Sequence, residues 1–241
     1  MGQDFAVGFD FDHTLGIDNK LERTVALELL ASLAASNGIA YDAVAAEREV
    51  DVAIGAYRLG LGPGKVETVI GAFLERFAPA GATTLDVALT FCDAVVARAP
   101  AHVQALPGAR ELLAGLDELG VPYAMLTNGW SPLQEEKARL IGFRGAVFVS
   151  DRIGVRKPAR AAFDLLAEHL EVPLERIWFV GDDPELDCAG ARTAGANAIW
   201  FDWEGRTYSP ELPAPNAVIH ELSELLPLLQ GKSSAAAKFG G

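Results

Sequence analysis

Phe5-Ala6-Val7-Gly8-Phe9-Asp10-Phe11-Asp12-His13-Thr14-Leu15 decides how the rest of the chain is read. Residues 5–9 form a short apolar run, the pattern of a buried strand. On a strand, residues two apart share a side. Asp10 and Asp12 therefore project together from the carboxyl end. Two adjacent carboxylates repel, and each resists ionising without a compensating charge. A cation that takes oxygen ligands, such as Mg²⁺, supplies that charge. One carboxylate is then free to attack and the other to move protons.

After Leu15 the pattern turns helical. Asp18 can cap a helix from Lys20 to Ser36, closed by Asn37-Gly38, and Asp42 a second, to about Arg58. A glycine-rich turn, 60–64, leads to a third over Lys65–Phe77. Thr84 caps a fourth, reaching Arg98 before Pro100. Four helices without a strand signal between them read as a small bundle. From Leu106 the pattern alternates. Helices over Ala109–Leu119, Leu133–Leu140, Pro158–Leu170 and Leu186–Thr193 interleave with strands over Pro122–Thr127, Ala146–Val149, Ile177–Val180 and Asn197–Phe201. Repeated βα alternation predicts a Rossmann-like parallel sheet with helices on both faces, and the first strand joins it. The helical block is then an insertion. A short strand and a helix over Val218–Leu229 close the core. The Ser, Ala and Gly-rich residues 231–241 read as a flexible tail.

Half of the 241 residues are hydrophobic, enough for a sizeable core. A net charge of −13 argues against nucleic acid as partner, though a small phosphorylated metabolite needs only local positive charge. Cys92 and Cys188 stand in apolar helical surroundings and read as free thiols, in keeping with a reducing, cytoplasmic setting. No signal-peptide pattern is visible, and no apolar run approaches the roughly 20 residues of a membrane span, so no membrane partner is expected.

In such sheets ligands bind outside the carboxyl ends of the strands. Reading those ends gives Asp10 and Asp12, then Thr127-Asn128-Gly129, then Lys157-Pro158, then Gly181-Asp182-Asp183-Pro184-Glu185-Leu186-Asp187. A hydroxyl, an amide, a lysine and two carboxylate sets suffice to bind and cleave a phosphate with Mg²⁺. These four motifs, in this order, resemble the haloacid dehalogenase superfamily, in particular its phosphatase branch of the phosphoglycolate phosphatase-like kind. The resemblance covers residues 1–15 and about 104–230 as the catalytic core. It places residues 16–103 where that family inserts a helical cap domain.

The resemblance implies the roles. Asp10 would be the nucleophile that forms an aspartyl-phosphate. Asp12 would protonate the leaving alcohol and then activate water. Mg²⁺ would sit between Asp10, the main-chain carbonyl of Asp12, and Asp182, with Asp187 holding a metal-bound water or ligating directly. Thr127, Asn128 and Lys157 would bind phosphate oxygens, and Gly129 would let the backbone approach the substrate. In the insertion, Lys65 or Arg58 could contact the leaving group, although an exposed lysine at a helix start is an ordinary feature. Trp130 suits the pocket and the core equally. His13 reads as a loop or packing residue, Asp183 as a residue supporting the site from behind or a solvated acid, and Arg156 as a solvated charge more than a phosphate contact. The expected activity is hydrolysis of a small phosphate monoester by a monomer or homodimer. A phosphomutase, a haloacid dehalogenase and a non-catalytic binding protein are the alternatives. Asp12 argues against the dehalogenase, because a halide needs no acid to leave.

Overall fold

The computed structural model describes residues 5–61 and 64–237. Strand β1 (Ala6–Phe9) leads through a tight turn into the two-residue strand β2 (Gly16–Ile17). Five helices follow among the described residues: α1 (Leu21–Asn37), α2 (Ala43–Arg58), α3 (Val66–Phe77), α4 (Ala82–Leu89) and α5 (Phe91–His102). Strand β3 (Gln104–Ala105) pairs antiparallel with β2, so the chain leaves and re-enters the core side by side. Then come α6 (Ala109–Leu119), β4 (Tyr123–Thr127), α7 (Leu133–Ile141), β5 (Ala146–Val149), the single turn α8 (Ser150–Ile153) and α9 (Arg160–Leu170). Strand β6 (Ile177–Gly181) runs into a π-helical turn at Pro184–Ala189 and α10 (Gly190–Ala194). Strands β7 (Asn197–Phe201) and β8 (Ala217–Ile219) and helix α11 (Leu225–Ala237) complete the chain.

The sheet order is β5-β4-β1-β6-β7-β8 and every pair is parallel. Both faces are covered, so the central strands are apolar on both sides. Val7, Phe9, Met125 and Val180 face Leu112 and Leu116 of α6. Ala6, Ala124, Leu126 and Phe179 face Phe163 and Leu166 of α9. The five inserted helices enclose an apolar cluster of their own around Leu30, Val50, Ile70, Phe73 and Phe91, which Trp130 and Leu133 join from the core. Strand β1 lies centrally, with β4 on one side and β6 on the other. From the carboxyl end of β1 the chain goes on to β4, and from that of neighbouring β6 to β7, in opposite directions across the sheet, which opens a crevice there.

Three details depart from the sequence expectation. Asp18 does not cap α1; Lys20 takes that place with a left-handed φ of 60°, and Asp18 Oδ1 accepts from the Lys20 amide at 3.1 Å. The single helix expected from Thr84 to Arg98 is two. Thr90 Oγ1 donates to the Val87 carbonyl at 2.7 Å, the local competition by which Thr interrupts a helix, and Pro100 lies inside the last turn of α5. Helix α11 continues to Ala237, through the first seven of the eleven residues of the expected tail. Alanines, which suggest a featureless tail by composition, also propagate a helix well. Residues 238–241 of that tail, and 62–63 of the glycine-rich turn, lie outside the described residues.

Candidate active site

The carboxyl ends of β1, β4 and β6 bring Asp10, Thr127, Lys157, Asp182 and Asp187 together. Asp10 is the first residue beyond β1 and is buried. Lys157, buried too, donates through Nζ to Asp10 Oδ1 at 2.6 Å and to Asp187 Oδ1 at 2.7 Å. Burial opposes the ammonium charge, but the two carboxylates outweigh it and raise the affinity of Lys157 for its proton. Asp182 receives Arg206 Nη2 on Oδ2 at 3.1 Å, and its amide donates to Thr14 Oγ1 at 3.0 Å. The threonine of the first motif thus locks the β1 loop onto the β6 loop.

Three carboxylates share this site with one buried cation. Oxygen atoms of Asp10, Asp182 and Asp187 all lie within 4.8 Å of one another. Burial, followed by the charges of Asp10 and Asp187, pushes Asp182 up to about 8. Burial also dominates at Asp187, raised to about 7 although Lys157 pulls it down. Asp10 is raised in the same way, with Lys157 opposing and Asp12 reinforcing. Such a cluster holds more negative charge than its surroundings neutralise, and its all-oxygen donor set suits a hard cation such as Mg²⁺.

The local backbone is built for this crowding. A Cβ on Gly181 would lie 2.2 Å from Asp187 Oδ2, so only glycine lets that carboxylate cross the end of β6. The π-helical turn widens the backbone just where Asp187 turns inward. Asp183 caps it, accepting from the amides of Glu185 and Leu186 at 2.8 Å. Of the two readings of Asp183, the supporting one fits: it caps the turn that carries Asp187.

The remaining predicted residues fall into two groups. Thr127 Oγ1 is buried at the end of β4 and has no hydrogen-bond partner. An orphaned hydroxyl there is available to a ligand. Asn128 is committed elsewhere. Its Nδ2 donates to the Lys157 carbonyl and its Oδ1 accepts from the Lys157 amide, both at 2.9 Å. It holds the lysine's backbone instead of presenting its amide to the site. Gly129 has a different use from the one expected: a Cβ there would lie 2.6 Å from Gln134 Nε2, so its bareness makes room for a protein side chain. Its amide donates to Ser150 Oγ at 3.1 Å.

Asp12 does not project with Asp10 into the three-carboxylate cluster as expected, because both lie beyond Phe9, the last residue of β1, where strand alternation no longer holds. Lys137 Nζ donates to its Oδ1, and Gln134 Nε2 donates to its Oδ2 at 3.2 Å. Arg58 Nη1, from the end of α2, stands 3.9 Å from Oδ2. Burial favours the neutral acid, but the ammonium of Lys137 and the guanidinium of Arg58 hold Asp12 well below the usual carboxylate range. The Asp12 side chain is accordingly not part of the candidate metal cluster.

A cavity of about 480 Å³ opens beside Asp12, lined by Ile17, Lys20, Glu22, Arg23, Arg58 and Trp203 among others. Arg58 reaches it; Lys65 does not. Lys65 lines a separate space of about 300 Å³ with Tyr57, Cys92, Trp130 and Asp151. Trp130 is buried and donates through Nε1 to Glu22 at 2.7 Å, so it belongs to the packing of α1. Exposed His13 stacks on Trp203, ring centres 6.2 Å apart. Arg156 donates to the carbonyls of Tyr57 at 2.9 Å and Arg58 at 3.2 Å, tying the core to the end of α2.

Sequence reasoning missed Lys137, Gln134 and Arg206. The first two left a trace. Gln134, Lys137, Ala138 and Ile141 share one helical face, and two polar residues on a core-facing stripe signal a buried polar contact. Arg206 lies in an irregular segment and left none. Cys92 and Cys188 are both free, as expected, and no described helix is long and apolar enough to cross a membrane.

Comparison with known proteins gives a consistent picture. Residues 6–195 match the model of the haloacid dehalogenase-like hydrolases. A phosphoserine phosphatase of Thermus thermophilus is 35% identical over 122 residues, 49% of each chain. A pyrimidine 5′-nucleotidase of Escherichia coli is 34% identical over 131 residues, 52% of this chain and 56% of that one. The matches thus span about half the length of these curated relatives. The crystal structure of a 2-haloacid dehalogenase from Pseudomonas syringae superimposes with a TM-score of 0.72 at 23% identity, covering 95% of this chain and 100% of the other. That likeness speaks for the fold.

Proposed function

This chain belongs to the haloacid dehalogenase-like hydrolases, and from that premise we propose that it is a Mg²⁺-dependent phosphatase acting on a small phosphate monoester. One observation carries the reading. Asp10, Asp182 and Asp187 crowd together until Asp182 rises to about 8 and Asp187 to about 7. Displacing a halide from carbon needs no cation at this place; transferring a phosphoryl group does. The phosphatases among the relatives support phosphate monoesters as a class without agreeing on one substrate, while another relative, 30% identical, is an (S)-2-haloacid dehalogenase.

Mg²⁺ held by Asp10, Asp182 and Asp187, with the main-chain carbonyl of Asp12, would supply charge neutralisation for the phosphoryl oxygens. The chain's own groups do the rest. Asp10 attacks phosphorus and the bond to the leaving oxygen breaks, while Asp12 gives that oxygen a proton. Water then attacks the aspartyl-phosphate, Asp12 takes the proton back, and phosphate and Asp10 separate. The ionised Asp12 of the ligand-free protein is the form between the two steps. A negative phosphoryl group arriving beside it favours the protonated form at the start. Lys157 and the orphaned Thr127 hydroxyl bind phosphoryl oxygens, and Asn128 fixes the Lys157 backbone. The helical insertion, residues 16–103, serves as a cap on the core, residues 1–15 and 104–230. The cavity beside Asp12 takes the leaving group and excludes water during the first step.

The test is hydrolysis of p-nitrophenyl phosphate by purified protein, with Mg²⁺ and with a chelator. We expect turnover only with the metal, and none from Asp10→Asn. Absence of turnover on this ester and on a panel of phosphorylated metabolites, with Mg²⁺ binding intact, would overturn the reading.

A further inference from the structure

We propose that Lys137 is the positioning residue of the proton-transferring carboxylate: it anchors Oδ1 of Asp12 so that Oδ2 carries the proton to and from the reacting oxygens. This rests on the reading of Asp12 as acid and base given above. Lys137 comes from α7, is fully buried, and lies 4.9 Å from the Phe11 ring centre. Its Nζ donates to Asp12 Oδ1 and, at 2.9 Å, to Asp18 Oδ2. Burying a lysine costs heavily unless its donors are used, and here they go to two carboxylates on either side of the β2 turn.

The two oxygens of Asp12 are held unequally. Oδ1 takes the ammonium, a charge-assisted bond of the strong kind. Oδ2 takes only the neutral Gln134 amide at 3.2 Å, and Arg58 stands at 3.9 Å, beyond hydrogen-bond reach. Oδ1 is therefore the fixed point about which the carboxylate would otherwise turn, and Oδ2 keeps lone pairs for a proton. Gln134 limits rotation from the opposite side, and Gly129 gives it the space. Asp18, at the entry to the helical insertion, shares the same lysine. The orientation of the acid and the seating of the insertion thus depend on one ammonium.

Geometry of this kind is worth orders of magnitude in rate, because a proton-transfer group must lie within hydrogen-bond reach of its target. We expect Lys137→Met to lower kcat by about 10²-fold or more with KM nearly unchanged. The loss in kcat/KM, which reports the first half-reaction, should be larger for glycerol 2-phosphate than for p-nitrophenyl phosphate. The aryl oxide leaves without much help from an acid; the alkoxide does not. Lys137→Met combined with Asp12→Asn should be no slower than Asp12→Asn alone, because the lysine acts through that carboxylate.

The outcomes separate cleanly. If Asp12→Asn keeps wild-type kcat, the reading of Asp12 itself fails. If Asp12→Asn is inactive but Lys137→Met keeps kcat, this proposal fails and the reading stands. It fails likewise if the two losses multiply, since that marks a lysine acting independently of Asp12. Should Lys137→Met not fold, Lys137→Arg keeps the charge but shifts the donor. It must then show the same selective loss on glycerol 2-phosphate, and equal losses on the two esters would refute the anchoring role.

Discussion

Replacing Asp182 by asparagine should stabilise the metal-free protein at alkaline pH and abolish its response to Mg²⁺. Burial, with the charges of Asp10 and Asp187, raises Asp182 from 3.8 to about 8. A carboxylate raised on folding contributes stability that is fully present below its unfolded value and is lost as pH rises through the folded one. The window therefore runs from 3.8 to about 8. About four pH units at 1.36 kcal/mol each set a ceiling near 5 kcal/mol. Arg206 lies 3.1 Å away and the side chain keeps some contact with solvent. Such screening brings the expected cost of the ionised group to about 2–3 kcal/mol. The amide carries no charge and can still accept from Arg206. For a chain of this size that difference corresponds to roughly 5–10 °C in Tm. The assay is thermal unfolding of wild type and Asp182→Asn in chelator, at about pH 5 and above about pH 8. The variant should melt higher at the alkaline pH, by less at the acid pH, and Mg²⁺ should raise only the wild type. Equal melting temperatures in chelator at alkaline pH would refute the claim that the cluster is overcharged without a cation.

Gly181→Ala drives a methyl into the Asp187 carboxylate, 2.2 Å away; it should cost about 1–3 kcal/mol, as overpacking does, and weaken Mg²⁺ binding measured by calorimetry. Thr127→Val removes a buried hydroxyl that has no partner; the ligand-free protein should gain up to about 1 kcal/mol, while KM and the inhibition constant of inorganic phosphate rise. Asn128→Ala frees both ends of the Lys157 backbone; kcat should fall about tenfold or more, and retention of full activity would show that Lys157 needs no such brace.

The sheet and the strand ends where these side chains gather were legible because the signals are local. A short apolar run ending in an acid, a hydroxyl or a glycine reads as a strand running into a functional loop. The motifs at 10–14, 127–129, 157–158 and 181–187 each belong to one such loop. What was not legible depends on pairs brought together by the fold. Asn128 carries the right chemistry to bind phosphate, and nothing in its neighbours says that Lys157's backbone will occupy it. Gly129 looks like a place for substrate until Gln134, five residues on, fills the space. Lys65 follows a glycine-rich turn, as ligand-binding residues often do, yet the packing of α3 turns it to another cavity.

Asp12 shows most clearly why position and charge must be read together. Asp12, Asp18 and Glu22 meet Lys137 and Arg58; Asp10, Asp182 and Asp187 meet Lys157 and Arg206. Each group sets three carboxylates against two cations, so counting charges cannot tell them apart. In the first, Lys137 bonds Asp12 directly and Arg58 stands close by, and Asp12 is held ionised. In the second, Lys157 is divided between Asp10 and Asp187, Arg206 reaches only the rim at Asp182, and the acids are pushed upward. The same inventory thus makes one site that keeps a carboxylate oriented and another that demands a further cation. One loop carries both acids, Asp10 facing the second site and Asp12 the first. Two residues apart within a strand, the acids would share a side; both lie beyond Phe9, the last residue of β1, where that alternation no longer holds and the pair divides. The pair marks the point where the two electrostatic environments meet, and under the proposed function one loop would supply a nucleophile from one and a proton carrier from the other.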